Sequence, residues 1–304
     1  MAKLSYLELT NRILRRITQQ EITDVTLASG HGKRVTNFIN EAQNVIFTEP
    51  VNWYSLFKMR TFSLTSYTAS TISFANANPD TIDDSASGFG DFESGTQVYV
   101  SGSTSNDDIY RVDTAAAGTL TLQTADTLTV EAASESITIT PVTKLAATDF
   151  GRSLDLMDVT NGQVINEGYD RFMDEADPDM YNTGTPRDFI YQDGGLRFYP
   201  IPSGTVKMRE RYWKIPDTLS ANANTSDLPI ECEQAIIYWV WGEMLQYLNS
   251  FEKADRIFQK YALLIEKAKM ANDRQISRMH VFEANTNRRG VHPPMLPVEY
   301  GGHY

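Results

Sequence analysis

The chain has 304 residues, a net charge of −12, and 41% apolar against 22% charged residues. That is ordinary for a globular protein and enough material for one large domain or two. No run approaches the roughly twenty apolar residues of a membrane span, and the opening MAKLSYLELTNR lacks the apolar stretch of a signal peptide. The single cysteine, Cys232, excludes a disulfide framework, points to synthesis in a reducing compartment, and reads as a packing residue.

In chain order, Ser5 and Glu8 have capping-box spacing, and Tyr6, Leu9, Ile13 and Ile17 follow at helical intervals. A turn at Gly30-His31-Gly32 leads to a second helix with Val35, Phe38, Ile39, Ala42 and Ile46 on one face, ended by Pro50. His31 reads as a solvated loop residue. From Trp53 the sequence turns aromatic and β-prone. STISF, TQVYVSG, DIYRVDT, GTLTLQT and ESITITP are of strand length and alternate apolar with polar residues. Such spacing predicts a small barrel or sandwich. The stretch GFGDFESG at 88–95 reads as a loop, since no helix follows it and Asp91 and Glu93 would repel phosphate.

Charge separates this region from the rest. Residues 61–143 carry eleven acids and one base, Arg111, for a net −10, while the remainder is nearly neutral. Two stretches of such different charge predict two physical units.

Beyond Lys144, LDLMDVTNGQVI holds an Asn161-Gly162 hairpin signal. Tyr169 to Ala176 reads as a short helix stopped by Pro178. Asp174, Glu175, Asp177 and Asp179 lack the spacing and glycine of a calcium loop and read as an acidic turn. RDFIYQDGGLRFYPIPSGTVKMRERYW predicts three strands, turned at Gly194-Gly195 and Ser203-Gly204. A linker, DTLSANANTSD, then leads to the apolar centre of the chain, two helices between Asp227 and Asp273. The first is apolar nearly all round (Ile236, Trp239, Val240, Met244, Leu245), as a helix inside a bundle is. Asp227 is placed as its cap. Asn249 and Glu252 are placed as the box opening the second, whose stripe is Ala254, Ile257, Phe258, Tyr261, Leu264, Ile265 and Ala268. After Asp273 the periodicity fades, and 274–304 reads as an extended arm rich in both apolar and breaker residues.

No catalytic constellation emerges. His280, His292 and His303 fall in the arm. HExxH, CxxC, GxSxG, Walker and dinucleotide motifs are absent, and Asp83-Asp84 and Asp107-Asp108 sit beside turns. Catalytic, cofactor-binding and metal residues are therefore expected to be none, and the protein is expected not to be an enzyme.

The order of parts, RVTNFINEAQNVIFTEPVNW, then FIYQDGGLRFYPIPSGTVKMRERYW, then a Leu-Pro and two long helices, resembles the head-to-tail adaptor proteins of tailed bacteriophages. The stretch VYVSGSTSNDDIYRV is similar to small β modules spliced into phage structural proteins. The expected fold is α+β. Residues 1–62 and 144–273 would form a four-helix bundle of N- and C-terminal helix pairs with an antiparallel β hairpin or sheet. Residues 63–143 would be an inserted all-β barrel or sandwich, and 274–304 an extended arm. The resemblance implies a ring, usually of twelve copies, in the virion neck and assembled in the host cytoplasm. It would join the portal protein to a tail tube, nozzle or other tail protein, and genomic DNA would pass its axial channel without sequence-specific binding. No membrane partner is expected. The arm residues Met279, Phe282, Arg288, Arg289, Met295, Leu296, Tyr300 and Tyr304 are the expected contacts to the portal or a neighbouring subunit.

Two rival functions are weighed against this. A glycan-binding or glycan-cleaving tail protein would use the β region, yet residues 61–143 hold no Trp and only Tyr67, Tyr99 and Tyr110. A duplex-binding protein would need Lys and Arg to neutralise phosphates, which the acidic balance disfavours.

Overall fold

The computed structural model describes residues 2–168 and 181–286, with side chains to Ile276. The short helix and acidic turn expected within 169–180 lie outside the described residues. The chain divides into two compact units, one built from the residues up to Leu56 and from Ile215 onward, the other spanning Phe57–Lys214. The expected partition fell instead at 62 and 144. Backbone ladders join most of residues 144–214 to one another and to residues 57–64.

The first unit is helical. The helices are α1 (Tyr6–Arg16), α2 (Gly30–Thr48), α3 (Glu233–Tyr247) and α4 (Phe251–Thr286). The Ser5–Glu8 capping box forms, with Ser5 Oγ accepting from the Glu8 amide and Glu8 Oε2 from the Ser5 amide, so two of the four partnerless amides are satisfied. Helix α3 is the centre, packing on α1, α2 and α4. Ala235, Ile236, Val240 and Met244 are sealed from solvent at 0% exposure. At Gly242 the second helix of the hairpin comes so close that a Cβ would lie 2.7 Å from the Phe258 ring.

Side-chain amides do much of the joining. Asn40 accepts from the Leu219 amide and donates to its carbonyl. Asn272 does the same between Tyr54 N and Asn52 O, clamping α4 to the end of the N-terminal segment. The stretch expected as a linker before α3 is thereby tied down, with Leu219 and Leu228 in the core.

Three local expectations are corrected. Asp227 does not cap α3, which begins at Glu233 after a 3-10 turn over Ile230–Cys232; its carboxylate accepts from the Asp217 amide instead. Asn249 does not open α4. It adopts φ +56° and closes α3, with Asn249 N donating to Gln246 O and Ser250 N to Leu245 O, the paired bonds of a left-handed helix stop. Asn suits either role, and only the backbone decides. Finally, the arm expected from Arg274 is helical through Thr286. The apolar stripe ends near Asn272, but Arg, Gln, Met, Glu and Ala in 274–286 favour helix without it. Helix α4 thus has 36 residues, about 54 Å at 1.5 Å per residue.

The second unit is β. Its strands are β1 (Phe57–Leu64), β2 (Tyr67–Ala69), β3 (Ile72–Ala75), β4 (Thr81–Asp84), β5 (Gln97–Ser101), β6 (Ile109–Ala116), β7 (Thr119–Leu122) and β8 (Ile137–Pro141). They continue with β9 (Thr143–Leu145), β10 (Phe150–Asp158), β11 (Gln163–Glu167), β12 (Thr183–Gly184), β13 (Asp188–Gln192), β14 (Gly195–Tyr199), β15 (Ile201–Pro202) and β16 (Val206–Lys214). One seven-stranded sheet has the order β1-β16-β10-β11-β13-β14-β9, and the other β2-β8-β5-β6-β7-β4-β3; β12 and β15 form a small pair.

The five strands read from alternation, β3 and β5 to β8, all belong to the second sheet. This sheet is nearly barrel-shaped around its own apolar cluster, including Ile72, Phe74, Phe89, Val98, Val112 and Ile139. Strand β6 turns the corner. Its first half pairs with β5, its second with β7, and a register shift lies between Val112 and Thr114. Asp84, 3% exposed, ties the turn after β4 by accepting from Tyr67 Oη, Thr71 Oγ1 and the amides of Ala86 and Gly88.

In the first sheet Asn161-Gly162 turns β10 into β11 as expected, with Gly162 at φ +68°. The turn from β13 to β14 falls one residue earlier than expected, on Asp193-Gly194, both at positive φ. Gly195 is needed for a different reason: a Cβ there would lie 2.7 Å from the Lys144 carbonyl on β9.

Candidate interaction surfaces

Several of the groups singled out for chemistry are tied into the structure. Cys232 is fully buried at the start of α3, and burial pushes its thiol far above the usual range. His31 is half-buried in the first turn of α2, its ring edge-on to Tyr247 at 5.9 Å, rather than in a solvated loop. Asp83 accepts from the Thr81 and Thr119 hydroxyls, and Asp107 from the amides of Gly102 and Ser103. Among the described residues no group of His, Cys, Asp and Glu is placed to hold a metal ion. No described helix is long and apolar enough to cross a membrane.

The three tyrosines that a glycan platform would use are committed elsewhere. Tyr67 donates to Asp84 and packs on Phe89, Tyr110 is 6% exposed, and Tyr99 lies against Tyr181 at 5.6 Å.

What remains open is surface. In the helical unit a groove of about 510 Å³ runs between the end of α1, α3 and the start of α4. Its floor is apolar: Ile17, Trp241, Leu245, Leu248 and Ile257. Its rim is basic, carrying Arg16, Lys253, Arg256 and Lys260, and none of its lining residues is acidic. The Arg16 guanidinium stacks 4.6 Å from the Tyr238 ring centre and 4.9 Å from that of Trp241, which fixes its position. Lys253, Arg256 and Lys260 recur at steps of three and four, so α4 presents them on one face. Leu245, expected in the centre of the helices, is half-buried in the wall of this groove. An all-apolar helix has no polar stripe to show which side stays open. The spacing of the three bases was the available signal for this surface.

The β unit offers the opposite surface. Asn106, 2% exposed, bonds Thr129 N, Thr129 O and Glu131 Oε1, lacing the 102–108 loop to the segment after β7. Glu131 in turn accepts from the Thr104 and Ser105 amides, and Glu135 from the Thr104 hydroxyl. The result is an ordered tip on which Asp107, Asp108 and Glu135 are exposed. Beside them stands Val130, a lone apolar side chain at 68% exposure.

Of the expected arm contacts, Met279 and Phe282 fall on the last turns of α4, where side chains are not described. Arg288, Arg289, Met295, Leu296, Tyr300 and Tyr304 lie outside the described residues.

The comparisons give the class: a phage adaptor-type structural protein of the virion, which works by contacting other head or tail proteins. Residues 103–290 match the SU10 adaptor protein family, and the chain belongs to that family. The match begins at Ser103 inside the acidic region, so it takes in β6 to β16 and α3–α4 but not β1. A search of curated proteins finds no match.

Proposed function

We propose that the protein forms a ring, of twelve copies by its resemblance to head-to-tail adaptors, that joins the portal to the tail around an axial channel. Family membership supports the adaptor role. The observation that carries the joining role is α4, on which residues 273–276 are not buried and whose backbone runs on to Thr286. The chain after it, 287–304, still contains Val291, Met295, Leu296, Val298, Tyr300 and Tyr304. Apolar groups spaced by Gly, Asn and Pro are the kind of sequence that a partner's groove or sheet edge takes up. Arg288 and Arg289 steer it toward an acidic surface. In this reading the portal protein holds the arm and a tail tube, nozzle or other tail protein binds the opposite side. DNA slides past the acidic surfaces of the ring without sequence-specific contact.

Removing residues 287–304 tests the role of the arm. The melting temperature of the isolated protein is expected to stay within a few degrees of the full chain. Co-sedimentation with portal particles is expected to be lost. Full portal occupancy by the truncated protein would place the anchor elsewhere.

The four helices are read as one bundle, and residues 63–143 as an inserted β domain. Their separate charge and their own apolar core support this. Replacing 65–143 with a short Gly/Ser linker is expected to leave a soluble helical protein that melts cooperatively. An unfolded product would make the region part of the core.

A further inference from the structure

We propose that the basic-rimmed groove on α1, α3 and α4 receives the acidic tip of the β unit of a neighbouring copy, with Val130 seated on the apolar floor. The inference rests on the ring reading above and gives that ring its subunit contact. Closed rings of more than two copies need a heterologous interface, in which two different and complementary patches on each chain meet head to tail. The basic groove and the acidic tip are two different patches of opposite charge.

The groove carries Arg16, Lys253, Arg256 and Lys260 and no acid. The tip carries Asp107, Asp108 and Glu135 and no base, within a stretch of net −10. The shapes match in kind as well. A concave floor of Leu245, Leu248 and Ile257 has room for a side chain, and Val130 is the exposed apolar group among the tip acids. Both surfaces are held before any partner arrives. Arg16 is fixed on Tyr238 and Trp241, and the tip loop is laced by Asn106. A preordered pair loses less freedom on meeting. A second copy is the favoured occupant because its tip is present at the same concentration as the groove and supplies the missing charge. An acidic segment of a tail protein is the competing occupant.

The test uses the full chain on portal particles and in concentrated solution. Lys253→Glu with Arg256→Glu is expected to raise the concentration needed for assembly at least tenfold, and so is Asp108→Lys with Glu135→Lys. A chain carrying all four changes is expected to regain assembly, which a merely unfolded variant would not do. As an independent readout, Val130→Cys with Leu248→Cys is expected to give a ladder of disulfide-linked multimers on oxidation, since the native Cys232 is sealed in the core. Either single cysteine should stop at dimers. Unaltered assembly of the charge variants, or no ladder while wild-type rings form, overturns this contact and leaves the ring reading standing. A wild-type chain that never exceeds monomer mass, free or on portals, overturns both.

Discussion

Met244→Asp is expected to unfold the helical unit, whereas Leu245→Asp, one residue along, leaves it folded. Met244 is completely sealed where α3 meets its neighbours. A carboxylate there has no partner and costs several kcal/mol, a large part of the roughly 5–15 kcal/mol that holds a typical domain together. Leu245 loses only part of its contact with solvent-shielded neighbours, about 1 kcal/mol of apolar burial. Its replacement would face Arg16, Lys253, Arg256 and Lys260 across the groove. Far-ultraviolet circular dichroism during a thermal melt distinguishes the two. Equal melting temperatures would contradict the assigned orientation of α3.

The second large effect concerns Glu210 on β16, which has 0% exposure between β1 and β10 of the first sheet. It accepts from Arg60 Nε at 2.5 Å and from the Tyr191 hydroxyl at 2.6 Å. Tyr191 is itself stacked on Phe150 at 4.6 Å, and burial together with the Glu210 bond pushes its hydroxyl well above the usual range. Glu210→Leu leaves the Tyr191 hydroxyl and Arg60 Nε without their acceptor, while Arg60 Nη2 keeps its bond to the Leu145 carbonyl, and it is expected to cost about 2–3 kcal/mol. Arg60→Leu with Glu210→Leu removes both charges and is expected to cost much less than the single change. The urea midpoint of the β unit gives the comparison. A double variant no more stable than the single one would mean that the pair is not what Glu210 supports.

The fold was legible wherever the controlling interactions are local. Ser5 and Glu8 announce a helix start because cap and acceptor are three residues apart. Alternation in 72–141 announces strands because one face of that sheet is buried and the other wet. Asn249 shows where such reasoning stops, since the same side chain caps one helix or ends another depending on its φ. Helix α4 shows a second limit. Periodicity reports packing, and the apolar stripe fades after Asn272 although helix propensity carries the backbone on to Thr286.

The pairing of 144–214 with the strand at 57–64 joins residues far apart in sequence. Arg60 and Glu210 face each other across β1 and β16, and no local pattern encodes that register. The groove was half legible, in the three bases of α4. Its other half, Arg16 and Ile17 on α1, lies more than two hundred residues away and is brought there only by the tertiary fold.

The central claim is a ring that sits on the portal. Imaging portal particles after addition of the purified protein, with the bound mass measured in the same sample, tests it most directly. The account predicts a closed ring of twelve copies around an open axial channel, reached without partly filled intermediates at saturating protein. Scattered single copies on the particles, or a bound mass with no rotational symmetry, would contradict it.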